Sequence, residues 1–168
     1  MADSHIQSPM DIWDYITVVI YRLGFVLATV MLPLYNLMPE IAHIGLLVAG
    51  AMLASSLHLY MKQFRFLFQF AMWIALICQI IGYPMLALGA VFLTVGGLCY
   101  KEYFCFRVFA LNFQPIILAG LWLAIVFNWL IVSYILMILA TVLLLVLSFQ
   151  KWRMPLHFDI GDKRKYQI

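Results

Sequence analysis

Apolar residues run along this chain in long blocks, and the few polar positions fall mostly between the blocks. A helix rises about 1.5 Å per residue, so roughly 20 largely apolar residues cross the hydrocarbon core of a bilayer. About six runs answer to that criterion, at positions 15–34, 41–60, 64–81, 85–100, 115–130 and 133–149. The pattern predicts an all-α polytopic membrane protein. Its expected form is a six-helix transmembrane bundle making a single integral membrane domain over 1–168, with 150–168 as a cytosolic tail.

The punctuation between runs has physical content. Pro33 and Pro39 bracket the first boundary, "GYP" closes the third run, and Pro115 suits the first turn of the fifth helix. The division between the fifth and sixth runs rests only on Asn128 and Ser133 within "LWLAIVFNWLIVSYILMILATVLLLVL". Read as one tilted helix, that stretch is too long for an ordinary bilayer.

Composition strengthens the membrane reading. The chain of 168 residues is 67% hydrophobic and 10% charged, against roughly 25% charged residues in soluble domains. Too few polar residues remain to coat a globule, so the apolar excess must face lipid.

Charge placement then predicts orientation. With six spans and a cytosolic N-terminus, the inner segments carry Lys62 and Arg65, then Lys101 and Arg107, then Lys151, Arg153, Lys163, Arg164 and Lys165. The outer loops carry only Glu40, and among basic residues only Arg22 falls inside a span. Basic loops are retained on the cytosolic side, so both termini are expected in the cytosol, and the expected location is the inner (plasma) membrane. The polar start, "MADSHIQSPMDIWDY", lacks a basic n-region and a cleavage site and reads as a retained lead-in. The net charge of +3 is spread over membrane-flanking positions, which points to anionic lipid head groups at the cytosolic face rather than nucleic acid.

Candidate chemistry is sparse. Cys78, Cys99 and Cys105 form no CxxC pair and no even set, so neither a disulfide framework nor a zinc site is indicated. Arg22 is the most informative residue, because a cation inside a span is costly. It lies about two turns in and is able to snorkel toward the cytosolic end; an anchor or ion pair is the preferred reading over a substrate-contacting cation. Glu102, of opposite charge at the same expected depth, is its predicted partner. His58, Gln69 and Gln114 are expected at similar depth, so with Arg22 and Glu102 they define a polar cluster in the inner half of the bundle. Inter-helix hydrogen bonding is preferred over a cavity open to the cytosol. Cys105 stands beside Arg107, a setting that can lower a thiol pKa, but no resolving cysteine stands nearby in sequence.

The segment "KEYFCFRVFALNF" carries alternatives of equal weight: a short interfacial helix over 101–113, with Phe104, Val108 and Leu111 on one face, or an aromatic extension of the fourth span. Glu40 and His43 make one ExxH pair without the second copy that a di-iron bundle needs, and read as boundary residues. His157, Asp159 and Asp162 lie on a lysine-rich tail and read as solvated rather than as a cation site. Nucleotide, P-loop, GxSxG and HExxH motifs are absent from the sequence. No cofactor or metal is expected.

Four stretches carry a family resemblance: "VVIYRLGF" at 18–25, "LHLYMKQFRFLFQFAMW" at 57–73, "KEYFCF" at 101–106 and "DIGDK" at 159–163. In order and spacing they resemble a bacterial family known as uncharacterised integral membrane proteins, a domain-of-unknown-function family also found in photosynthetic bacteria. "KEYFCF" is similar to the family's KEAFCF element; Tyr103 stands in place of alanine and adds bulk while leaving the charges and the cysteine. The positions matching the motifs are Tyr21, Arg22, His58, Tyr60, Lys62, Lys101, Glu102, Cys105, Asp159 and Asp162. The resemblance implies a membrane protein and implies no activity, substrate or cofactor.

Two functional classes follow. The first is a non-enzymatic accessory, assembly or structural membrane component, with a membrane-protein partner or a second copy of itself. The alternative is a small-solute or ion transporter or channel, using the polar cluster and glycines Gly82, Gly89, Gly96 and Gly97. A redox or metal enzyme on His58, Glu102 and Cys105 ranks last.

Overall fold

A computed structural model of the chain describes residues 9–106 and 108–165. The described residues are helical without strands: α1 (Ile12–Leu34), α2 (Pro39–Ser55), α3 (Lys62–Ile80), α4 (Pro84–Phe106), a 3-10 turn (Phe109–Phe113), α5 (Gln114–Val126), α6 (Leu130–Arg153), the single turn α7 (His157–Ile160) and a last 3-10 turn (Lys163–Lys165). The first eight residues, part of the stretch read above as a lead-in, and Arg107, counted above among the inner-segment cations, lie outside the described residues.

Local chemistry sets the helix ends. Asp11 caps α1 by accepting from the Ile12 N–H, while Asp14 accepts from the Asp11 N–H, a reciprocal box that fixes the entry. Prolines open α2, α4 and α5, where a missing N–H costs nothing. The α3–α4 turn holds Gly82 at a φ of 86°. Asn128 is the only described non-glycine residue at positive φ, 56°, and it breaks the long aliphatic stretch into α5 and α6. Asparagine tolerates that left-handed conformation better than its apolar neighbours do.

Three expected boundaries move. The second helix stops at Ser55 instead of reaching Tyr60, because the Ser56 hydroxyl bonds back to the Met52 carbonyl and the chain leaves helical geometry there. His58, expected near the end of the second helix, therefore sits in the α2–α3 connection. The fourth helix runs through "KEYFCF" to Phe106, so an interfacial helix over 101–113 is not formed. Of the shared face expected there, Phe104 is exposed on α4 and Leu111 is buried in the following 3-10 turn. α6 continues to Arg153, carrying Lys151 within the helix.

α4 is the central element, packed against α2, α3, α5 and α6, while α1 lies between α2 and α6. Its inward positions include Ala87, Leu88, Val91, Val95, Leu98 and Cys99. α3 is peripheral and buries only Phe68, Ala71, Met72 and Ala75. Gly97 on α4 lets the Phe68 ring rest directly on the backbone, where a methyl group would collide with it.

The outward faces are apolar as well. On α6 the exposed positions Ile131, Ile135, Ile138, Val142, Leu145, Phe149 and Trp152 form a stripe at helical spacing. Apolar surface on that scale is not tolerated against water in a monomer. Five helical segments are long and apolar enough to cross a membrane, namely α1, α3, α4, α6 and the stretch Phe109–Val126. α2, at 17 residues, spans about 25 Å, short of the roughly 30 Å hydrocarbon thickness.

The connections sort into two ends. The start of α1, the α2–α3 link, the end of α4 and the end of α6 meet at one end, through Asp14–Lys163, Tyr60–Asp162 and Glu102–Lys151 contacts. At the other end His43 bonds Gln79 at 2.7 Å, tying α2 to α3, and the Trp122 indole donates to the Met85 carbonyl at 2.7 Å, tying α5 to α4.

Candidate functional site

The charged end is organised by two buried carboxylates. Glu102, in the last turns of α4, accepts the Tyr21 hydroxyl on Oε1 at 2.8 Å and Lys101 Nζ on the same oxygen at 3.2 Å; its Oε2 faces Lys151 Nζ at 3.0 Å. Asp159, on α7, takes Lys151 on Oδ1 and Arg22 on Oδ2, the latter at 2.7 Å from Nε and 2.5 Å from Nη2. Lys151 thus bridges the two carboxylates. Its ammonium also lies 4.8 Å from the centre of the Tyr21 ring, with Lys101 4.9 Å from the same ring. Such cation–ring contacts are worth most where water is excluded.

Arg22 does not meet Glu102 as the sequence reading expected. Its guanidinium turns to the C-terminal segment, giving two donors to Asp159, one to the Met154 carbonyl at 2.8 Å and one to the Pro155 carbonyl at 3.0 Å. The physical reason is the return of the chain after α6. The tail, expected to be solvated, packs back so that the Asp159 side chain is only 3% exposed. A planar guanidinium satisfies a carboxylate and two carbonyls together in a way a lysine does not. Glu102 is left to the residue before, Tyr21.

The tail has a second fastening. The Asp162 N–H donates to the Tyr60 hydroxyl at 2.8 Å. Gly161, at a φ of 63°, brings the backbone so close to that hydroxyl that a side chain there would overlap it. Ile160 is buried beside it. The family-motif positions Tyr21, Arg22, Tyr60, Glu102, Asp159 and Asp162 therefore make one interlocked arrangement.

Next to these ion pairs lies a cavity of about 330 Å³, lined by the α2–α3 connection, the end of α4, and the segment from Lys151 to Gly161. His58 and Cys105 both line it. His58 Nε2 is buried without a hydrogen-bond partner among the described residues. Cys105 is an exposed free thiol.

Gln69 and Gln114 fall outside this arrangement. Gln69 is half-buried on the peripheral α3 and is not a lining residue. Gln114 is buried between α5 and α6, where its amide donates to the Ala140 carbonyl at 3.1 Å. Equal depth along a helix says nothing about which way a side chain faces, and that is why the expected five-residue cluster separates. Lys151 and Asp159 were the residues missed as site members. The one sequence signal for Asp159 was its place in the "DIGDK" motif; Lys151 had none beyond its charge. Among the described residues no group of three or more histidine, cysteine or carboxylate side chains is placed to hold a metal ion.

Comparison with known proteins adds a family without a chemistry. A family model described as "Uncharacterized integral membrane protein (DUF2301)" matches residues 74–168. A protein of Haemophilus influenzae, described as "Uncharacterized protein", is 59% identical over 168 residues, covering 100% of both chains. No solved structure matches the chain.

Proposed function

The chain belongs to this family of uncharacterized integral membrane proteins, and on that premise we propose that it is a non-enzymatic, multi-pass component of the bacterial inner membrane. It acts as an accessory, assembly or structural subunit. In this reading it crosses the bilayer six times, with α2 completing its passage through the non-helical residues 56–61. The charged end faces the cytosol, and both termini lie there.

One observation carries the reading. Arg22, the cation that a transport site would need inside the span, has its donors committed to Asp159 and to the Met154 and Pro155 carbonyls. A guanidinium used in that way fastens a tail and is not free to receive a solute. The concentration of Lys62, Arg65, Lys101 and Lys151 at the same end supports a cytosolic assignment. The exposed apolar faces of α3 and α6 offer area for a membrane-embedded partner.

Purification in a mild non-ionic detergent tests this. The expected particle is larger than one protomer in its micelle and contains a second membrane protein or a second copy. A strictly monomeric particle that drives solute flux in liposomes refutes it in favour of a transporter. A C-terminal alkaline phosphatase fusion is expected to be inactive, since that enzyme needs export to fold.

A further inference from the structure

The end that holds the ion pairs carries a surplus of positive charge. Three cations, Arg22, Lys101 and Lys151, face two carboxylates, Glu102 and Asp159. Every carboxylate oxygen is already engaged. Lys101 is the cation left in surplus. Its carboxylate partner among the described residues is Glu102, which it shares with Lys151, and its side chain is 20% exposed where that of Lys151 is 3%.

The cavity beside Lys101 has the matching features. His58 contributes the buried, unpartnered Nε2, and an unpaired buried polar atom is a standing cost that a ligand atom relieves. An imidazole nitrogen donates to or accepts from a ligand atom according to its tautomer. Glu102 and Asp159 also line the cavity, with their oxygens already held by Tyr21, Lys151 and Arg22, and the apolar part of the wall includes Met61, Phe104 and Phe158. Its volume of about 330 Å³ falls in the range of roughly 300–1,000 Å³ typical of small-molecule sites. A partly exposed surplus cation and an unpaired imidazole nitrogen beside apolar side chains, at the end of membrane helices, match a ligand with a charged head and a greasy chain.

We propose that this cavity binds a singly charged anionic amphiphile, with its oxyanion head at Lys101 and His58 and its alkyl chain along Met61, Phe104 and Phe158. A free fatty acid and an anionic phospholipid share that chemistry. The proposal deepens the reading above and rests on it only in requiring this end to lie at a bilayer surface.

Delipidated full-length protein in non-ionic detergent, titrated with oleate, phosphatidylglycerol or uncharged oleyl alcohol and followed by native mass spectrometry, tests it. The expected result is a one-to-one adduct with oleate, phosphatidylglycerol or both, and none with oleyl alcohol. Oleate alone identifies a fatty-acid site; retention of phosphatidylglycerol identifies a headgroup site. Lys101→Gln is expected to weaken the adduct at least tenfold. Cys105 supplies a readout that needs no variant: bound anion should slow its alkylation several-fold, mapped by peptide apart from Cys78 and Cys99. Equal binding of oleyl alcohol, undiminished binding to Lys101→Gln, or alkylation of Cys105 unchanged by either anion overturns the proposal. The Arg22 clamp does not enter these measurements, so the two readings fail separately.

Discussion

Replacing Arg22 by methionine isolates the clamp. The side chain is 2% exposed and its carboxylate partner 3%, so solvent screening offers little relief. Removing one member of a buried pair costs about 3–5 kcal/mol, because the other charge is left without compensation. Here Asp159 keeps Lys151, which returns part of that loss. The two freed carbonyls add about 1 kcal/mol each where water does not reach them. Because Pro155 is exposed, only the Met154 carbonyl is expected to contribute fully. The net expectation is a destabilisation of about 3 kcal/mol. Asp159→Asn should cost about 2 kcal/mol, since the amide oxygen still accepts a hydrogen bond. The double variant should fall short of the sum by about 1.5 kcal/mol, the coupling of residues in direct contact. Reversible unfolding by sodium dodecyl sulfate titration in mixed micelles, read by tryptophan fluorescence, measures all three. Tryptic release of the C-terminal segment gives a parallel view, faster in each single variant. Arg22→Met within about 0.5 kcal/mol of wild type, the range of an inconsequential surface change, would refute the clamp, as would strictly additive variants.

Two further outcomes follow. Gly161→Ala, which places a methyl group at positive φ against the Tyr60 hydroxyl, should loosen the tail and cost about 2 kcal/mol, whereas Tyr60→Phe should cost about 1 kcal/mol; the same unfolding titration ranks them. Gly97→Ala should force the Phe68 ring off α4 and destabilise by about 1–3 kcal/mol, with a larger effect on α3 than on α6 in hydrogen exchange.

Much of the architecture was legible because its signals are local. Apolar run length marks helices, and Pro39, Pro84 and Pro115 mark where they start. The weakest boundary rested on Asn128 and Ser133, of which Asn128 adopts the turn conformation while Ser133 lies inside α6. The candidate site was legible in its members more than in its pairings. Arg22, Glu102, His58 and Cys105 do gather at one end, and a cation inside a span is informative wherever it occurs. Yet the partner of Arg22 lies 137 positions away, in a tail whose mixed polar sequence resembles any solvated terminus. Nothing periodic announces a segment of four helical residues that packs by one aspartate, one glycine and one isoleucine. Gln69 and Gln114 failed for the complementary reason: hydropathy gives depth, and only packing gives direction.

The distance between Arg22 and Asp159 along the chain has a bearing on biogenesis. A ribosome makes the arginine 137 residues before its counter-charge, so α1 must wait through the synthesis of α2 to α6 before its cation is neutralised. Closure of this ion pair is thereby expected only once the segment after α6 has been made. A chain cut short after Arg153 would keep every hydrophobic segment and still leave two buried cations, Arg22 and Lys151, without the aspartate they share.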